Sequence, residues 1–96
     1  MNLKELATKK RGEILAITRK YGARRIRLFG SITRGDERPD SDFDFLVELE
    51  AGRSLLDLGG MQMDLQELLG RKVDVVTEKG VRERIRDKIF QEAIPV

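Results

Sequence analysis

The sequence predicts a small α/β (α+β) domain in which a mixed sheet is covered by helices, in the order α-β-α-β-α-β-α. Three observations predict it. Runs with apolar residues at helical spacing alternate with short runs of period two. Gly22, Pro39, Gly52 and Gly70 stand at the junctions between those runs. A length of 96 residues allows one modest core and no second recognition module, so residues 1–96 are expected to form a single domain.

From Leu3 to Tyr21, the residues Leu3, Leu6, Ala7, Ile14, Ile17 and Tyr21 recur at helical spacing, and Gly22 stands where a helix commonly stops. The spacing predicts one helix there. From Ala23 to Phe29, Arg25 and Arg27 alternate with Ile26 and Leu28, the pattern of a half-buried strand. Ser31 is placed to cap a short helix, and Pro39-Asp40 to return the chain into a second strand over Phe43 to Leu49. Ser54, with Asp57 three residues on, reads as a helix start. Leu55, Leu58, Met61, Leu65, Leu68 and Leu69 form its stripe up to Gly70, and Gly59-Gly60 weakens its middle. Val73 to Thr77 is the third strand. Val81 to Ala93 is the last helix, with Val81, Ile85 and Ile89 on one face. Apolar Ala93-Ile94-Pro95-Val96 reads as core or as an edge left for a partner.

The chemistry concentrates between Phe29 and Leu49, where a Gly30-Ser31 turn precedes Ser41-Asp42-Phe43-Asp44 at the start of an apolar strand. Side chains alternate along a strand, so Asp42 and Asp44 share one face, roughly 7 Å apart by strand rise, while Phe43, Phe45 and Val47 take the other. Like charges so placed repel unless a cation joins them. Mg²⁺, a hard ion that prefers oxygen ligands, suits them. Two other readings fail on their own positions. A calcium loop beginning at Asp40 needs Gly and Glu where Phe45 and Ala51 stand, and a phosphate-binding loop over Gly30 to Gly35 needs Lys-Ser/Thr where Asp36-Glu37 follows. Arg34-Gly35-Asp36 spells an adhesion tripeptide by coincidence.

Composition removes other chemistries. With no cysteine and no histidine, the chain lacks thiol and imidazole nucleophiles, disulfides and Cys/His zinc sites. Lys+Arg of 19 against Asp+Glu of 17 is too even to imply nucleic-acid binding. The basic residues Arg24, Arg25, Arg27, Arg82, Arg84, Arg86 and Lys88 read as the solvated faces of a strand and a helix. The five aromatics, Tyr21, Phe29, Phe43, Phe45 and Phe90, are expected in or near the core. No nucleic-acid partner is therefore expected. No apolar run has signal-peptide or membrane-spanning length, which makes a cytoplasmic location the expectation.

Gly30-Ser31, Arg34-Gly35 and Ser41-Asp42-Phe43-Asp44 resemble the active-site signature of the nucleotidyltransferases of the DNA polymerase β superfamily. At this length, the chain resembles its minimal (MNT) members, the antitoxins paired with HEPN-domain RNase toxins. Nearly the whole chain is covered, and Thr33, where the family often has Ala, is a small departure. The resemblance implies a polymerase β-like fold and a third carboxylate on a later strand, for which Asp74 in Lys72-Val73-Asp74-Val75-Val76 is the counterpart. It further implies that Asp42, Asp44 and Asp74 are the catalytic residues and hold two Mg²⁺ ions. Gly30, Ser31, Arg34 and Ser41 would bind the nucleotide, with the Gly30 and Ser31 amides holding phosphates at a helix N-terminus. Mg²⁺-dependent transfer of AMP from ATP to a hydroxyl of the HEPN partner, a tyrosine, is the implied activity. Homo- or hetero-oligomeric assembly is compatible with it. The alternatives are an antitoxin that neutralises by binding alone, and a nucleotidyltransferase acting on RNA or a small molecule.

Overall fold

A computed structural model describes residues 2–36, 38 and 41–96. The elements are α1 (Leu3–Lys9), α2 (Arg11–Lys20), β1 (Ala23–Phe29), α3 (Ser31–Arg34), β2 (Phe43–Leu49), α4 (Leu55–Leu69), β3 (Val73–Thr77), α5 (Glu83–Glu92) and β4 (Ile94–Pro95). The return expected at Pro39-Asp40 lies outside the described residues.

The helix expected over Leu3 to Tyr21 is two helices, broken at Lys10, whose φ of −97° and ψ of 13° fall in the bridge region. No apolar side chain occurs between Ala7 and Ile14, and Gly12 lies in the gap. That turn has nothing to bury and poor helix propensity, so the chain bends there. Asn2 caps α1 by accepting a 2.8 Å hydrogen bond from the Glu5 amide.

The C-terminal segment is a strand of the sheet rather than an unpartnered edge. β4 pairs antiparallel with β1, Leu28 against Ile94 and Arg27 against Pro95, and proline is tolerated there because the strand is outermost. Arg11 Nε donates to the Val96 carbonyl at 2.9 Å, tying that end to α2.

The sheet order is β3-β2-β1-β4. β1 runs antiparallel to both of its neighbours, and β2 and β3 run parallel, joined by the α4 crossover that a parallel pair requires. Phe43, Phe45 and Val47, all at 0% exposure, enter the main core with Leu3 and Ala7 of α1, Ile14 of α2 and Met61 and Leu65 of α4. The opposite sheet face carries Asp44 and Leu46. A smaller cluster of Leu46, Val81 and Ile89, with Phe29, Val76 and Phe90 beside it, seats α5 there. Among the described residues, α1, α2 and α4 therefore pack on one face, where Ile32 of α3 joins the same core, and α5 packs on the other.

Ser54 caps α4 in a capping box: its hydroxyl accepts from the Leu56 amide at 3.2 Å and Asp57 Oδ2 accepts from the Ser54 amide at 3.0 Å. Gly59-Gly60 does not interrupt the helix. Gly60 is where the Tyr21 ring lies against α4, and Tyr21 Oη donates to Asp64 at 2.7 Å. Leu55 departs from its expected place in the stripe, with 82% exposure, because the buried positions begin only at Met61 and continue at Leu65 and Leu69. α5 starts at Glu83, so Val81 packs from outside the helix, and Ile85 is 43% exposed rather than buried beside it. Arg27, expected in solvent, has a side chain only 14% exposed. It lies 3.4 Å from Glu78 and covers the Phe90 ring, because its strand face is the one that α5 occupies.

Candidate functional site

β1 ends at Phe29, and Gly30 follows with φ of 85° and ψ of −154°, a conformation essentially restricted to glycine. A Cβ at Gly30 would run into Oδ2 of Asp44. Glycine thus allows the turn to lie directly against the carboxylate. The Gly30 carbonyl accepts from the Thr33 amide at 3.0 Å and from Thr33 Oγ1 at 2.9 Å. Gly30, not Ser31, occupies the cap position of α3, which leaves the Ser31 hydroxyl without a protein partner among the described residues. α3 is four residues long and ends at Gly35 in the left-handed region. One turn aligns too few peptide dipoles to hold an anion as a longer helix does, so attraction for phosphate must come from local N–H groups and from cationic side chains.

Upstream of β2, Ser41 and Arg38 form a reciprocal turn. The Arg38 amide donates to Ser41 Oγ at 2.7 Å and the Ser41 amide to the Arg38 carbonyl at 2.9 Å. The Ser41 hydroxyl still has its proton to donate. Asp42 follows, with Lys72 Nζ 3.9 Å from its Oδ2.

The parallel register puts Asp44 opposite Asp74, and the antiparallel register puts it opposite Phe29, the residue before the turn. Side chains paired across adjacent strands point to the same face, so Asp44 and Asp74 stand side by side, with Asp42 two residues away on that face. Burial, then repulsion from Asp74 and from Asp42, pushes the Asp44 carboxyl up from 3.8 to about 6, against the opposing pull of Arg34 and Lys72. Arg34 Nη1 lies 3.2 Å from Glu92 Oε2 on α5, and its Nε lies 3.4 Å from Asp36.

These residues border a cleft of about 450 Å³ between the sheet and α5. Gly30, Ser31, Arg34, Ser41, Asp42 and Asp44, all expected from the sequence, line it; Asp74 stands behind Asp44 on the next strand. The opposite wall comes from α5: Ile85, Lys88, Ile89 and Glu92 all line the cleft. Their spacing, i, i+3, i+4 and i+7, is one helix face. The periodicity is legible in the sequence, but not that this face meets the carboxylates.

Among the described residues, no three acidic side chains close into a ready metal cage. The donor set nevertheless fits Mg²⁺. It consists of oxygens only, three carboxylates interact through their charge, and one of them, Asp44, is pushed up to about 6 by burial and by repulsion from the other two, the charge excess that a hard divalent cation would offset.

Residues 12–96 match the nucleotidyltransferase domain family. A protein of Methanocaldococcus jannaschii, provisionally named a protein adenylyltransferase, is 40% identical over 96 residues, covering 100% of this chain and 99% of its own length. The protein adenylyltransferase MntA of Thermococcus cleftensis is 36% identical over 77 residues, 80% of this chain and 78% of that protein. Among solved structures, one provisionally described as a minimal nucleotidyltransferase superposes with a TM-score of 0.85 at 43% identity, covering 100% of this chain and 97% of that one. A toxin–antitoxin structure with AMP-PNP superposes at 0.75 with 20% identity, over 88% of this chain and 69% of that one, a likeness of fold.

Proposed function

This chain belongs to the nucleotidyltransferase domain family, among its minimal members, and is a nucleotidyltransferase; from that premise we propose that it is a Mg²⁺-dependent protein adenylyltransferase. It transfers AMP from ATP to a tyrosine hydroxyl of a HEPN-domain RNase toxin in the cytoplasm and is that toxin's antitoxin, with the 96 residues acting as one catalytic domain. The observation that carries this is the register of Asp44 against Asp74, which sets Asp74 beside the cleft that Asp42, Asp44 and the Gly30 turn line.

Each side chain has a part. The Gly30 and Ser31 amides and the Ser31 hydroxyl donate to the β and γ phosphates, and the bare α-carbon of Gly30 lets them approach. Arg34 and Ser41 border the phosphates and orient them. Asp42, Asp44 and Asp74 would hold two Mg²⁺ ions, which when bound neutralise the triphosphate and lower the pKa of the incoming hydroxyl. In-line attack of that hydroxyl oxygen on the α phosphorus forms the new P–O bond and breaks the bond to the β-phosphate oxygen, releasing pyrophosphate. The hydroxyl proton passes to solvent or to an Asp carboxylate.

Support for adenylyl transfer to a protein comes from the names of the Methanocaldococcus jannaschii and Thermococcus cleftensis relatives. Support for a HEPN toxin comes from the motif resemblance. Intact-mass spectrometry of the co-expressed partner tests it. Wild-type chain with ATP and Mg²⁺ adds one or more AMP masses to the partner, and Asp42→Asn adds none. A partner that is neutralised yet unmodified would refute transfer and favour an antitoxin that acts by binding.

A further inference from the structure

The cleft wall furnished by α5 has no role in the family signature read from Gly30 to Asp44, yet it carries a cation with no partner among the described residues. A triphosphate brings several negative charges into a cleft that already holds Asp42 and Asp44, with Asp74 adjoining. The single turn of α3 contributes little dipole to offset them. Of the cations nearby, Arg34 is shared between Asp36 and Glu92, and Lys72 lies beside Asp42. Lys88 lines the cleft, is exposed, and has no ion-pair or hydrogen-bond partner among the described residues. It sits four residues before Glu92 on the same helix face, hence one turn from the Glu92–Arg34 pair that joins α5 to the phosphate turn.

We propose that Lys88 is a triphosphate-binding residue, its ammonium contacting the β and γ phosphates from the wall opposite Gly30 and Ser31, so that α5 selects triphosphates over monophosphates. This rests on the nucleotidyltransferase reading of the cleft. A flexible stem and compact charge suit Lys88 to follow phosphates that leave as pyrophosphate, whereas Arg34 is fixed between two carboxylates.

Calorimetry with Mg²⁺ and α,β-methylene ATP, in which the scissile oxygen is replaced and no turnover occurs, measures this contact without activity; AMP is the comparison ligand. Lys88→Ala should bind the triphosphate analogue roughly tenfold more weakly, about 1.4 kcal/mol, while AMP affinity changes by less than about twofold. Lys88→Arg should return the analogue's affinity to within about threefold of wild type, and Lys88→Glu should weaken it beyond Lys88→Ala. Unchanged analogue affinity in Lys88→Ala, or equal losses for the analogue and AMP, overturns the assignment. Wild-type protein that fails to bind the analogue overturns the nucleotide reading itself, and this proposal with it.

Discussion

Replacing Asp44 with asparagine should make the metal-free protein more stable at neutral pH, although it removes a proposed catalytic group. In the folded chain the Asp44 carboxyl is pushed from 3.8 to about 6 by burial and by Asp74 and Asp42. A folded-state pKa above the unfolded one means that the folded protein binds more protons in between. That contribution to stability is fully present below about pH 4 and is lost as pH rises through about 6. A shift of about two units corresponds to roughly 3 kcal/mol, and because the group is only half-buried the effect is discounted to about 1–1.5 kcal/mol. The neutral amide of the Asp44→Asn variant has no charge to lose. In EDTA at pH 7.5, Asp44→Asn should melt about 5 °C above wild type, given the usual response of a domain this size, and the two should converge at about pH 4. Adding Mg²⁺ at the higher pH should raise the wild-type Tm and leave the variant almost unmoved. Thermal melts followed by circular dichroism at the two pH values, with and without Mg²⁺, supply all of these comparisons. A variant no more stable than wild type in EDTA at neutral pH would refute the account of Asp44 as a repelled, partly buried carboxylate.

Two glycines give further checks. Gly30→Ala meets the Asp44 carboxylate at a φ of 85° and should cost about 1–3 kcal/mol of stability as well as binding of α,β-methylene ATP; Ser31→Ala should leave the melting curve unchanged, and equal behaviour of the two in urea titrations and calorimetry would contradict the close approach of turn and carboxylate. Gly60→Ala sets helix propensity against packing: propensity alone favours alanine by about 1 kcal/mol, whereas a Cβ there comes within 3.0 Å of Tyr21 Cζ. Overpacking of this kind costs about 1–3 kcal/mol, so the variant should unfold at lower urea, and a stabilised variant would show that the Tyr21 ring simply moves aside.

Much of the fold follows from local pattern. The period-two alternation of Phe43, Phe45 and Val47 against Asp44 and Leu46 matches the two packed faces of β2, since adjacent side chains on a strand cannot share a side. Ser54 and Asp57 form the helix start that their spacing implies. The misreadings come where tertiary contact overrides the local signal. Gly59-Gly60 reads as a weakness of propensity, and what that reading lacks is the use made of Gly60: Tyr21, distant in sequence, fills the space that it leaves open. The break at Lys10 is the exception, for its cause is local: six residues with nothing to bury interrupt an apolar periodicity that otherwise reads as continuous. Ala93 to Val96 reads as core or as an edge for a partner; Ile94 and Val96 do pack on the core, and pairing with β1 decides against the free edge.

The candidate site divides along the same line. Composition and spacing are enough to place Asp42 and Asp44 on one face, to put a glycine at the turn before them, and to exclude thiol and imidazole chemistry, because each of these depends on residue type and on the geometry of a few consecutive residues. They cannot bring Asp74 beside Asp44 or swing Lys88 and Glu92 over the carboxylates. Both depend on how α4 carries the chain across into a parallel register and on which sheet face α5 settles upon. Register and face are chosen by burial summed over the whole domain, here by Val73 and Val75 joining the main core and by Ile89 and Phe90 seating on Leu46 and Phe29, and no short stretch of sequence contains that sum.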